Sequence, residues 1–353
     1  FITAVVEAVD RYALLLRAGA ATAGNDHRLG ANEAPPAIIS VYFGGPLTEI
    51  LDNIADGKTG VRAETGEKIT LGVTSLPSLP KDSSDRNRTS PFAFTGNKFE
   101  FRMTGASQSI ATVNTYLNVA VAQVLSEFAD KLEALPADSA VSERNKAIEA
   151  IIKESYGKHR KVVFNGNGYS DEWVDAAAVR GLPNVKSAVD ALAVLIDSDT
   201  ISLFEKHKTL TREEMESRYH IYMEKYSGQI NIEAGISIDL ARRYIFPAVT
   251  AYAARLAADA ASLAGIGADS QPQTKRARQI ADTLAGLYED IAALETVLAE
   301  AQNIEDIPDQ AHAYHRAVRP VMDAVRAKVD ALEKMTAKKA WPLPGYEELL
   351  FRL

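Results

Sequence analysis

Three stretches in the first third of the chain hold charged side chains at spacings that could do chemistry. In residues 98–102 (KFEFR), strand geometry would put Lys98, Glu100 and Arg102 on one face and Phe99 and Phe101 on the other. A carboxylate flanked by two cations is held ionised and can bind a hard divalent cation, while the cations can bind an anionic substrate. A solvated strand face with ordinary cross-strand ion pairs has the same composition. In residues 85–90 (DRNRTS), Arg86 and Arg88 lie close together in a polar loop, and a planar guanidinium suits carboxylate or phosphate. Plain surface arginines are the alternative. Residues 24–36 (GNDHRLGANEAPP) have Arg28 and Glu33 as their charged centre with His27 beside them, and read either as a connection or as an active-site flap.

Other chemistries find little support. The chain has six histidines, and only His312 and His315 approach a metal-ligand spacing, on what reads as a polar helix face. Asp26–His27 could suggest metal or base chemistry. Residues 165–169 (NGNGY) contain Gly-x-Gly without a dinucleotide fingerprint after it, and Asn-Gly predicts a tight hairpin turn. No GxxxxGK, GxSxG or HExxH occurs, so P-loop, serine-hydrolase and zincin chemistry have no motif here.

The elements that must position these residues change character along the chain. Residues 37–43 (AIISVYF), 69–73 and 98–103 predict strands, joined by long polar connections at 57–67 and 75–94. Helices are expected at 109–135, 142–156, 171–180, 187–196, 198–207, 211–226 and 237–264, the last kinked by Pro247. Ala277, Ile280, Leu284, Leu287, Ile291, Leu294 and Leu298 follow a 3,4 spacing, a coiled-coil-like seam. A second seam at Val318, Met322, Val325, Val329 and Leu332 follows the connection at 303–309, and the two predict an antiparallel helical hairpin.

Composition narrows the class. The 353 residues carry 39 Lys plus Arg against 47 Asp plus Glu, a net charge of −8, which argues against a dedicated nucleic-acid binder. Apolar residues make up 46%, enough for a packed core, and no window reads as a membrane span. The absence of cysteine excludes thiolate and disulfide chemistry and leads to the expectation of a reducing, cytoplasmic location. Glu7, Asp10, Arg11 and Arg17 interrupt the apolar opening run at helical spacing, so it reads as an amphipathic helix and not as a signal peptide. The chain begins at Phe1 inside that helix pattern, and the expectation is a piece of something longer.

Taken in order, residues 24–40 (GNDHRLGANEAPPAIIS) and 85–102 (DRNRTSPFAFTGNKFEFR) resemble the C-terminal catalytic half of glutamine synthetase, closest to the long bacterial type III enzyme. Residues 161–173 (KVVFNGNGYSDEW), 180–184 (RGLPN), 216–226 (ESRYHIYMEKY), 230–234 (INIEA) and the closing WPLPGYEELLF extend the resemblance over essentially the whole chain. It implies an α+β fold: residues 1–175 as the C-terminal portion of the catalytic domain, with antiparallel strands and helices, then a mostly helical region at 176–353 carrying the hairpin. It also implies ATP-dependent ligation of ammonia to glutamate through a γ-glutamyl phosphate, with Mg²⁺ or Mn²⁺. By motif, Arg28 matches the arginine on glutamate and the acyl phosphate, and Glu33 the flap glutamate that closes the site and takes a proton. Arg88 matches the arginine holding ATP phosphate and substrate, Glu100 a metal carboxylate, and Arg102 a glutamate-binding arginine. Lys98 falls at a usually basic position beside ATP. Stacked-ring homo-oligomers are implied in the same way.

Two departures bear on these implications. Residues 89–97 contain no basic side chain, so a further ATP-contacting arginine expected there is absent or supplied otherwise. The family's other metal carboxylates and its Asn-Gly/His glutamate-binding motif lie upstream of the matched region, and nothing here resembles them. An isolated chain is therefore expected to be inactive. A non-catalytic helical module retaining these motifs, or a ligase joining glutamate to another amine, are the alternatives.

Overall fold

The structure, a computed structural model, describes residues 1–31, 34–58, 68–69, 79–80 and 89–351. The chain forms two compact units, Phe1–Tyr222 and Met223–Leu353. Among the described residues it is mostly helical with a small mixed sheet, the α+β architecture that the sequence implies.

The first unit opens with α1 (Ile2–Arg11), α2 (Ala13–Ala18) and α3 (Ala23–Arg28), then β1 (Val41–Tyr42) and α4 (Gly45–Ala55). A two-stranded pair, β2 (Lys68–Ile69) and β3 (Leu79–Pro80), precedes β4 (Phe92–Thr95) and β5 (Lys98–Phe101). The main sheet has the order β1-β4-β5, with β1 parallel to β4 and β4 antiparallel to β5. The β4–β5 turn holds only Gly96 and Asn97, and Gly96 has φ +73°, which glycine adopts without steric cost.

Helices α5 (Ala111–Glu133), α6 (Val141–His159), α7 (Asp171–Val179), α8 (Ala188–Leu192) and α9 (Ser198–Lys206) follow, and α10 (Arg212–Leu240) runs on into the second unit. The core centres on α1, whose residues 3–9 are all buried, packed with Ile38, Ile39, Val41, Phe92, Val124, Tyr156 and Trp173. Two charged positions of α1 point inward: Ser155 Oγ donates to Glu7 Oε2 at 2.6 Å, and His159 Nδ1 lies 2.7 Å from Asp10 Oδ2. Burying those carboxylates is tolerable because each has a polar partner on α6 or just beyond it.

Three local differences from the sequence reading have physical reasons. Residues 92–95 (FAFT) form a strand that lay inside an expected loop; four residues after Pro91 are too few to show a period. Residues 23–28 are helical, because Thr22 Oγ1 accepts from Asn25 N at 3.3 Å and caps a first turn. Residues 227–236 belong to α10 and are not a break.

In the second unit α11 (Phe246–Gly265) and α12 (Gln271–Gln302) are followed by α13 (Ile307–Ala313), α14 (Arg319–Met335) and α15 (Tyr346–Leu350). Five-residue π turns at Ala241–Ile245 and Tyr314–Val318 each end two residues before a proline, Pro247 and Pro320. A proline lacks the N–H for the regular ladder and crowds the preceding turn, and a wider turn there accommodates it. Ile280, Leu284, Leu287, Ile291, Leu294 and Leu298 are all buried on α12, which packs against α14 as the hairpin and against α11 on another side. Val318, Val325 and Leu332 of the second seam are buried as well.

This packing gives a contrast to measure. Leu287→Ala should cost about 2–5 kcal/mol in urea unfolding, because Leu287 is fully buried. Glu289→Ala, on the exposed face two residues on, should stay within about 0.5 kcal/mol of the parent.

Candidate active site

The aromatic face of the β4–β5 hairpin fixes its polar face. Phe92 stacks on Phe99 (centroids 5.1 Å apart), Phe94 lies 4.9 Å from Phe99, and Phe92 lies 5.8 Å from Phe101. Phe43 meets Phe94 and Phe99 edge-on. With that face committed to the core, Thr95, Lys98 and Glu100 lie on the other side, as the two-residue repeat requires.

Glu100 is held from three directions. Its Oε1 accepts from Thr95 Oγ1 at 2.9 Å and pairs with Lys98 Nζ at 2.9 Å, while its Oε2 accepts from Arg102 Nη2 at 3.1 Å. The hydrogen bond from Lys98, then those from Thr95 and Arg102, bring the Glu100 carboxyl down to about 2. Glu100 is therefore an anion across the working pH range, half-covered and surrounded by positive charge.

Arg28 reaches the same place from the end of α3. Its Nη1 donates to Met103 O at 2.9 Å and to Asn25 Oδ1 at 3.2 Å, and its Nη2 donates to Arg102 O at 3.3 Å. Arg28, Glu100 and Arg102 line one cavity of about 920 Å³, together with Ser90, Tyr169 and the 103–107 segment. Lys98 joins the group only through its ion pair with Glu100 and is largely exposed. Glu33 and Arg88, like Arg86, lie outside the described residues.

Of the Asp26–His27 pair, His27 lines the cavity beside Arg28, while Asp26 is committed to a structural contact. Asp26 Oδ1 accepts from Ala188 N at 2.7 Å and sits 3.7 Å from Arg17 Nη2, with both side chains buried, so it anchors α3 to the start of α8. His315 Nδ1 meets the Tyr226 hydroxyl at 3.0 Å. No group of three His, Cys, Asp or Glu able to hold an ion occurs among the described residues. Glu100 has the chemistry of a divalent-cation ligand, but such an ion takes about six oxygens. The described residues thus do not make a metal site by themselves.

Residues 165–169 do more than the expected hairpin turn. Asn165 Oδ1 accepts from Phe43 N and Gly44 N, both at 3.0 Å, and its Nδ2 donates to Thr48 Oγ1 at 2.8 Å. Gly168 N donates to Thr89 O at 3.1 Å, and a Cβ at Gly168 would fall 2.0 Å from that oxygen. Only glycine permits this approach, which seats Tyr169 at the cavity. Two glycines in five residues were the signal; Asn-Gly alone pointed to a turn.

The architecture is thus an α+β domain whose cleft brings two arginines to one ionised carboxylate. Residues 147–264 match the family model of the glutamine synthetase C-terminal domain. The chain is 40% identical over 357 residues to the type-3 glutamine synthetase of Dictyostelium discoideum, covering 99% of this chain and 48% of that protein. It is 35% identical over 359 residues to the glutamine synthetase of Bacteroides fragilis (99% and 49%) and 36% identical over 365 residues to that of Butyrivibrio fibrisolvens (100% and 50%). The chain belongs to the glutamine synthetase family, as its motifs suggest. It spans about half the length of the curated relatives it matches. No described helix is long and apolar enough to cross a membrane.

The charge arrangement predicts a titration. The folded Glu100 carboxyl lies near 2, below its ordinary 4.5, so its stabilising contribution is complete above the unfolded value and is lost as pH falls through about 2. Carbon-13 detection of the Glu100 carboxyl should place its midpoint near pH 2, and Lys98→Ala or Arg102→Ala should each move it upward. A midpoint above 4 would contradict the arrangement.

Proposed function

We propose that this chain forms part of the active site of an ATP-dependent ligase that joins ammonia to glutamate through a γ-glutamyl phosphate. The observation that carries the reading is the convergence of Arg28, Arg102 and Glu100 on one cavity, at the positions where the motifs of the glutamine synthetase family put substrate and metal contacts. The names of the relatives, all glutamine synthetases, support the same reading.

In this reading Arg28 and Arg102 hold the glutamate and the acyl phosphate by bidentate, charge-assisted hydrogen bonds. Arg88 steadies the ATP phosphates with Lys98 near them, and Glu33 closes over the intermediate and takes a proton as ammonia attacks. Phosphoryl transfer is carried mainly by positioning and charge neutralisation, which a small group of arginines supplies. Excluding water matters because the acyl phosphate hydrolyses wherever water reaches it first. Mg²⁺ or Mn²⁺ would meet Glu100 as one oxygen ligand and supply Lewis-acid charge at the phosphates; its remaining ligands would come from outside the described residues. A homo-oligomer in the cytoplasm fits this role.

The test uses the full-length protein. It should release ADP only when glutamate and ammonia are both present. Glu100→Ala should weaken divalent-metal binding and turnover together, by at least about 100-fold in kcat/KM. Unchanged metal affinity in that variant would remove Glu100 from the metal role. The 353-residue chain expressed alone should show no glutamate- and ammonia-dependent ADP release, because by its motifs it supplies at most one of the several metal ligands that catalysis requires.

A further inference from the structure

We propose that Asn25 is a positioning residue for Arg28, setting the plane of its guanidinium toward glutamate; this rests on the reading of Arg28 as a glutamate contact. Asn25 is 1% exposed, on the face of α3 turned away from solvent. Its Nδ2 donates to Ala20 O at 2.6 Å and to Met103 O at 3.1 Å. Gln108 Oε1 lies 3.5 Å from the same atom, so all three of its neighbours are oxygens; the amide has one orientation, and Oδ1 must be the atom that accepts from Arg28 Nη1 at 3.2 Å.

The arrangement is a closed triangle. Met103 O accepts from both Asn25 Nδ2 and Arg28 Nη1, and Asn25 Oδ1 accepts from the same Nη1. Both hydrogens of Nη1 are thereby used and Arg102 O takes one from Nη2, which leaves Nε–H and the second Nη2 hydrogen for a carboxylate or phosphate. A guanidinium tied at three points keeps its plane, and a planar fork recognises an oxyanion only when that plane is correct. Gln108 supports the corner from behind: its Nε2 donates to Gly19 O at 2.9 Å, and its Oε1 accepts from Gly105 N at 3.4 Å.

An isosteric aspartate would not substitute. It would set a carboxylate oxygen against Ala20 O and Met103 O, where the structure needs a donor. The arrangement therefore asks for an amide, with its nitrogen on the backbone and its oxygen on Arg28.

The experiment is equilibrium binding in the full-length protein, with glutamate and a non-hydrolysable ATP analogue measured separately. Asn25→Ala should weaken glutamate binding by roughly 10- to 100-fold, the loss of one charge-assisted hydrogen bond and its geometry, and leave the nucleotide within about twofold. Glutamate affinity within twofold of the parent, or equal weakening of both ligands, would overturn the positioning role. Asn25→Ser, smaller but polar, is read by the same criteria if the alanine variant does not fold. A parent protein that binds the nucleotide but not glutamate would refute the glutamate ligase reading itself, a result separate from any effect of Asn25.

Discussion

The constraint on which the cavity depends is the two-residue repeat of β4 and β5, enforced by phenylalanines. Phe92, Phe94, Phe99 and Phe101 occupy one face of the hairpin and interlock with Phe43. Each such aromatic pair contributes about 0.5–1.5 kcal/mol beyond area burial, whereas an exposed ion pair such as Lys98–Glu100 contributes about 0–1 kcal/mol. The hairpin is therefore held by its apolar face, and the charges opposite are placed as a consequence. A slip of one residue would bury Glu100 and expose Phe99 together. The same lock fixes the carbonyls of Arg102 and Met103, the acceptors for Arg28.

The charge balance at the cavity differs from that of the whole chain. The protein carries −8 overall, yet among the described residues Arg28 and Arg102 line the cavity with Glu100, and Lys98 pairs with Glu100 from its edge. Lys98 and Arg102 stabilise Glu100 as an anion, and among the described residues here the cations outnumber it. Such a local arrangement would suit the proposed anionic substrates, glutamate and phosphate, better than a basic protein would, because it acts only at the cavity. Net charge is thus a poor guide to ligand charge for a site built from a few placed side chains.

What was legible in the sequence had a period or a long motif. The alternation in residues 98–102 is strict, so the facing of Lys98, Glu100 and Arg102 could be read directly, and the α12 seam followed from its 3,4 spacing. What was not legible depended on contacts distant in the chain. Residues 165–169 carry a local turn signal, but their conformation is set by Phe43, Gly44, Thr48 and Thr89. The strand at 92–95 exists because β1 and β5 flank it, and no local pattern requires it. The proline at 247 was visible as a kink, but whether a helix absorbs a proline by a sharp kink or by a five-residue turn, as at Ala241–Ile245, has no local sequence signal. Positioning residues such as Asn25 were silent for the same reason: an asparagine in a polar segment looks solvated until the carbonyls around it are known.

Helix α3 shows how far such distant contacts govern the site. Six residues are too few for a helix to persist in water, since nucleation costs more than so short a ladder returns. Its Thr22 cap recovers one donor, and the rest of its stability must come from outside the segment. Asp26 takes the Ala188 amide and faces buried Arg17, which in turn donates to the carbonyls of Val185 and Lys186; Asn25 and Arg28 bind the carbonyls after β5. Three parts of the first unit thereby hold one turn of helix. Burying an Arg–Asp pair and an amide is expensive unless each is satisfied, and apolar residues of similar volume often pack as stably in place of a buried ion pair. Apolar contacts, however, do not fix the rotation of a six-residue helix, whereas donors and acceptors do. The polar corner therefore serves geometry more than stability: it fixes where Arg28 stands.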